Sequence, residues 1–154
     1  MGIENVIDKR IVLGCDHAGF ALKAVLTDYL AQQGYDVQDL GCFSETDKVD
    51  YPSIAEKVAR FMQEADISKG IITCGSGVGV AIAANRFPWI RAVHAHDAYL
   101  AQLSREHNDS NVLCMGGRFV SGAYGTVITQ AWLNARFEGE RHERRVGMLS
   151  SLNA

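Results

Sequence analysis

Short apolar runs and stretches of helical periodicity take turns along the 154-residue chain. Arg10-Ile-Val-Leu-Gly-Cys15 is an apolar run of strand length, and Leu22, Val25, Leu26, Tyr29 and Leu30 recur after it at helical spacing. Gly34 suits the end of that helix, where a residue without a Cβ closes the last turn. Tyr35–Leu40 reads as a second strand and Gly41–Asp50 as a polar loop. Pro52 fits a first helical turn, and Ile54, Val58, Phe61, Met62 and Ala65 form one helical stripe. Gly70–Cys74 is a third strand and Val78–Asn85 a helix of small apolar residues. Arg91–Ala95 and Asn111–Met115 complete five strands, with Ala98–His107 as the helix between them. Ser121 can cap a following helix whose buried face carries Val127, Ile128, Ala131, Trp132 and Ala135.

Strands that alternate with helices predict an α/β fold, a parallel sheet covered on both faces and joined by right-handed crossovers. Ligands of such sheets sit beyond the carboxyl ends of the strands. That rule gathers Cys15-Asp16-His17, Cys74–Gly79 and Gly116-Gly117-Arg118 at one rim. The chain shows neither an internal repeat nor a linker, so residues 1–154 read as one domain, with 1–9 an N-terminal extension. The tail 137–154 is charged first and apolar later, at helical spacing. It has too few apolar residues to pack alone and is expected to dock on another subunit.

Composition narrows the function. A formal net charge of -3 speaks against nucleic acid or an acidic membrane surface as partner. No apolar run has transmembrane length and Met1–Arg10 has no signal-like apolar core, which makes the cytoplasm the expected location. The four cysteines, Cys15, Cys42, Cys74 and Cys114, are widely spaced with no CxxC, and the sequence shows no clustered histidines, so neither a metal nor a disulfide framework is expected. Packing accounts for Cys15, Cys42 and Cys114.

Cys74 has a different neighbourhood. Gly75, Gly77 and Gly79 let the backbone approach a ligand closely, and consecutive N–H groups in such a turn bind anions. The loop lacks the Gly-Lys-Ser/Thr of a nucleotide phosphate loop, and Cys74 stands where a nucleophile elbow needs glycine. A thiol beside an anion cradle suits a site that takes a proton from carbon and stabilises the resulting oxyanion. Elsewhere the residues are open to two readings. Asp16-His17 can be turn formers or ligand contacts on the rim. His107-Asn108 can end a helix by complementing its dipole, or carry protons near neutral pH. Arg141 and Arg145 share a helical face, either as a solvated charged surface or as a phosphate clamp.

Taken together, Gly14-Cys-Asp-His-Ala-Gly-Phe20, Asp50-Tyr-Pro52, Cys74–Gly79, Ile82–Asn85, Ala101–Asn111 and Arg141–Arg145 resemble the ribose-5-phosphate isomerase B family, in order and spacing. The resemblance implies a Rossmann-like three-layer αβα sandwich on a five-stranded parallel sheet, assembled as a homodimer or tetramer with active sites at the subunit interface. It implies a cofactor-free and metal-independent exchange of ribose 5-phosphate and ribulose 5-phosphate through an enediolate. Cys74 then matches the base, Ser76 the hydroxyl that helps move protons, and His107 the residue that opens the sugar ring. Gly75, Gly77, Val78 and Gly79 match the oxyanion cradle. Asp16, His17, Asn108, Arg118, Arg141 and Arg145 match the substrate and phosphate contacts, part of them contributed by the partner subunit. Allose, galactose and tetrose phosphates are alternative substrates, and a non-catalytic phosphosugar-binding module is a third possibility.

Overall fold

The computed structural model describes residues 8–152. Most of the predicted N-terminal extension, residues 1–7, lies outside the described residues. Five strands, β1 (Arg10–Cys15), β2 (Asp36–Asp39), β3 (Gly70–Cys74), β4 (Ala92–His94) and β5 (Val112–Gly116), form one parallel sheet in the order β2-β1-β3-β5-β4. The helices are α1 (Phe20–Gln32), α2 (Tyr51–Glu64), α3 (Val78–Ala84), α4 (Ala98–Asn108), α5 (Gly122–Asn134) and α6 (Arg141–Ser151).

Alternation along each buried strand divides the core in two. Val12, Ile72, Val112 and Cys114 pack with Ile54, Val58 and Val80 of α2 and α3. Ile11, Leu13, Ile71, Leu113 and Met115 pack with Leu26 of α1, Ala101 of α4, and Ile128 and Trp132 of α5. Trp132 is fully buried, and its indole N–H donates to Ser110 Oγ at 2.8 Å. Burying each of these larger side chains contributes about 1.5–3 kcal/mol. Tight loops join the layers. Pro52 lies in the first turn of α2, Ser121 Oγ accepts from Tyr124 N at 3.2 Å to cap α5, and Gly34 follows α1 at φ 79°.

One expectation for α5 fails. Val127 is 47% exposed, whereas Thr129 is buried with Ile128 and Trp132. At about 100° per residue the buried positions Gly125, Ile128, Thr129 and Trp132 span an arc of about 100° centred between Trp132 and Gly125, and Val127 lies about 150° from that centre. Helix α6 packs on its own chain's α4, chiefly by burying His142, while Met148 and Leu149 remain exposed.

Candidate active site

Chain order reverses between β1 and β3: β1 leads to β2 on one side, and β3 lies on its other side. The turns after β1 and β3 therefore flank a topological switch point, where open α/β sheets bind ligands. Hydrogen bonds lock the turns together. Asp16 N donates to Thr73 O at 3.2 Å, and Thr73 Oγ1 donates to Gly19 O at 2.8 Å. The Asp16 carboxylate accepts from Gly19 N at 3.0 Å, so this residue does form the turn expected of it. From the β5–α5 turn, Gly117 N donates to Cys74 O at 2.8 Å and Arg118 N to Gly75 O at 3.1 Å. All three predicted turns thus share one rim.

Cys74 ends β3 under the glycine loop and is 4% exposed, deeper than a position on the loop's outer lip. Its Sγ accepts the Gly77 N–H at 3.1 Å. Gly77 adopts φ 81°, and a Cβ there would lie 2.7 Å from both His94 Cδ2 and the Met115 carbonyl carbon. Only glycine gives this peptide its orientation without moving its neighbours. Ser76 Oγ accepts from Val78 N at 3.3 Å. The other thiols are differently placed. Burial pushes Cys15 and Cys114 far above the ordinary thiol range, so both stay protonated in neutral water. Cys15 Sγ also faces Cys42 Sγ at 3.7 Å, and both are free.

His17 Nδ1 accepts a long 3.4 Å bond from Val49 N, which leaves its second ring nitrogen as the donor when the ring is neutral. The loop that supplies Val49 is anchored at its start. Asp39 binds the buried Lys23 ammonium at 2.5 and 2.6 Å and accepts from Gly41 N at 2.9 Å. The guanidinium of Arg118 lies over Gly75, about 3.2 Å from where a Cβ would be.

His107, Asn108, Arg141 and Arg145 occupy the other end of the sheet. Helix α4 leaves the Cys74 end and descends, so its last residues precede β5, where Gly70 N at the start of β3 donates to Asn111 O at 2.9 Å. The length of β3 alone separates the two groups by about 13 Å. A cleft of ≈ 300 Å³ is lined by His107, Asn108, His142, Arg145, Val146 and Leu149. The imidazoles of His107 and His142 stack with centroids 4.4 Å apart at 6°. Glu138 Oε2 lies 3.9 Å from His107 Nε2 and 3.6 Å from His142 Nε2. Burial, then the charges of His107 and the neighbouring arginines, lowers the pKa of His142. The ligand atoms of His107, Glu138 and His142 all lie within 4.8 Å of one another, a spacing a cation could use. Arg141 and Arg145 beside them favour an anion instead.

Four residues missed by the sequence reading emerge here. Glu138 and His142 surround His107, whereas His94 and His96 stand against the glycine loop, with both Nε2 atoms near Ser76 O. The His-Ala-His spacing was a usable signal, because alternate residues of an extended segment face the same side. Among the described residues, no helix is long and apolar enough to cross a membrane.

Known proteins are similar to this chain in sequence and in fold. Ribose-5-phosphate isomerase B of Escherichia coli (strain K12) is 44% identical over 144 residues, covering 94% of this chain and 96% of its own. D-erythrulose-4-phosphate isomerase of Pectobacterium atrosepticum is 37% identical, covering 84% of this chain and 85% of its own. The crystal structure of ribose-5-phosphate isomerase B from Mycoplasma genitalium with bound ribulose-5-phosphate superposes with a TM-score of 0.87 at 35% identity, covering 93% of this chain and 95% of that one. The profile of one family matches residues 11–149. Since that match runs from the second residue of β1 into the last turn of α6, taking in both ends of the sheet, the chain belongs to the Ribose/Galactose Isomerase family.

Proposed function

We propose that this protein interconverts D-ribose 5-phosphate and D-ribulose 5-phosphate, with Cys74 as the base. The observation that carries the reading is the Gly77 N–H aimed at Cys74 Sγ on the switch-point rim. It is supported by likeness to a relative crystallised with ribulose-5-phosphate. Starting from the aldose, the Cys74 thiolate takes the proton from C2 of the opened sugar. The electron pair moves toward the C1 carbonyl, and the resulting enediolate oxygens rest against the backbone amides of Gly75–Gly79. Return of a proton to C1 gives the ketose, with Ser76 Oγ passing protons between the two oxygens. Fixed donors aimed at developing negative charge provide the largest help to such a weak carbon acid.

The remaining roles come from a second copy of the chain. His107 would open the furanose, and Asn108, Arg141 and Arg145 would bind the substrate from the partner subunit, opposite Asp16, His17 and Arg118. Their separation within one chain supports this division, as do the exposed Val78 and Ile82 beside the rim and Leu149 beside the cleft. Residues 1–154 then act as one isomerase unit that needs neither metal nor cofactor, in the cytoplasm. A coupled assay on purified protein against ribose, allose, galactose and tetrose phosphates tests the reading, with a chelator arm. Turnover of ribose 5-phosphate that survives the chelator is expected. Preference for a tetrose phosphate would move the protein toward the Pectobacterium relative, and binding without turnover of any sugar would make it a phosphosugar-binding module.

A further inference from the structure

One peptide plane links a histidine to the thiol. The C=O of Ser76 and the N–H of Gly77 belong to the same amide. The oxygen lies 2.8 Å from His94 Nε2, and the N–H donates to Cys74 Sγ at 3.1 Å. A carbonyl oxygen cannot donate, so a contact of this length requires the hydrogen to sit on His94 Nε2. His96 Nε2, 2.8 Å from His94 Nε2 and 3.4 Å from the same carbonyl, then faces that hydrogen as an acceptor. One proton serves all three atoms.

We propose that His94 is a positioning residue that polarises the Ser76–Gly77 peptide, so that the Gly77 N–H holds the thiolate form of Cys74. Donation to a carbonyl draws electron density toward its oxygen and makes the N–H of the same amide a stronger donor, since chained hydrogen bonds reinforce one another. His94 also fixes the plane of the amide, because its ring occupies the space beneath Gly77. Burial lowers the pKa of His94, which keeps its ring neutral in neutral water and leaves a dipole, not a charge, behind the peptide. The other ionisable groups around this loop are His96 after β4, Arg118 from the β5–α5 turn, Cys114 on β5, Tyr51 at the start of α2, and Asp16 and His17 after β1. None of them contacts the Ser76 carbonyl except His96.

The importance of this relay for turnover rests on Cys74 being the base, but its effect on the thiol does not. The test measures ultraviolet thiolate absorbance against pH in the full-length protein, with Cys74→Ser as the blank. His94→Val is expected to cut the Cys74 thiolate fraction at neutral pH roughly two- to fourfold, the weight of a fraction of one charge-assisted hydrogen bond. The acid limb of kcat/KM should move upward in pH with it. His94→Gln, whose amide N–H reaches as far as Nε2, is expected to recover most of the loss. His96→Ala should change the thiolate fraction by less than about twofold, because the donor remains. Should the valine variant fail to fold, His94→Asn, whose amide stops short of the carbonyl, takes its place. An unchanged thiolate fraction overturns the proposal, and so does an equal loss in the valine and glutamine variants, which would mean that only packing matters. Turnover that survives Cys74→Ala would sink the base assignment while leaving the thiolate titration intact, so the two failures are separable.

Discussion

The two ends of the sheet are built from different materials. The Cys74 end is made of backbone: glycine amides, cross-turn carbonyls and a buried thiol, each held by hydrogen bonds to a neighbouring turn. The His107 end is made of side chains on two helices, with Asn108, Arg141 and Arg145 exposed. Backbone amides locked between strands cannot reorganise, which suits the stabilisation of charge that develops only during reaction. Exposed arginines on a helix hold a phosphate more tightly once a second surface excludes water from them. Under the proposed function, chemistry belongs to one end and capture to the other, and each end needs a second chain.

Removing the proposed base should break the Cys74 end most severely. Cys74→Ala is expected to lower kcat by about 10²–10⁴-fold, the weight of general base catalysis, with phosphosugar binding retained in calorimetry. Turnover at the normal rate would take Cys74 out of the mechanism.

The pairing of opposite ends can be tested by complementation. Cys74→Ala and His107→Asn should each be inactive alone. Mixed and reassembled, they should recover about one quarter of full activity, since a two-fold dimer of the two variants restores one intact site. Absence of recovery in proven mixed dimers would place both groups in one chain's site.

At the capture end, Arg145→Ala should raise KM about 10- to 100-fold with little change in kcat, as expected for loss of a charged hydrogen bond to a non-reacting phosphate. A fall in kcat at unchanged KM would move the clamp elsewhere.

The smallest expected effect is on stability. Because the folded-state pKa of His142 is lowered, the unfolded chain binds the proton more readily. The docking of α6 through His142 is then intact above the ordinary imidazole value of about 6.5 and weakens as pH falls through it toward the folded value. His142→Phe should flatten that part of the Tm-against-pH curve, and an unchanged slope would assign the loss to another group.

Much of the rim was legible in the sequence because it is local. A strand that ends in Cys74 and runs into three glycines declares a tight turn, and the βα alternation places that turn at the carboxyl edge. The motifs containing His107 and Arg141 were equally visible, but their distance from Cys74 was not, since it depends on which way α4 runs along the sheet. Val127 departs from the expected stripe because helical spacing does not fix where along the helix circumference the covering layer is centred. The alternation of His94 and His96 marks a shared face but not what that face meets. Only the meeting of β4 with the β3–α3 turn, two segments some twenty residues apart in the chain, gives it a partner.

From the order of residues alone came the alternation of strands and helices, the glycine loop with its thiol, and the identity of the groups that can move protons or bind phosphate. These follow from periodicity and from chemistry within a few neighbouring positions. Tertiary structure decided the strand order, the burial of Cys74 beneath its loop, the peptide shared by His94 and the sulfur, and the division of the candidate groups between opposite ends. Those depend on contacts between distant segments, and such contacts form only when burial of the two cores brings the layers together.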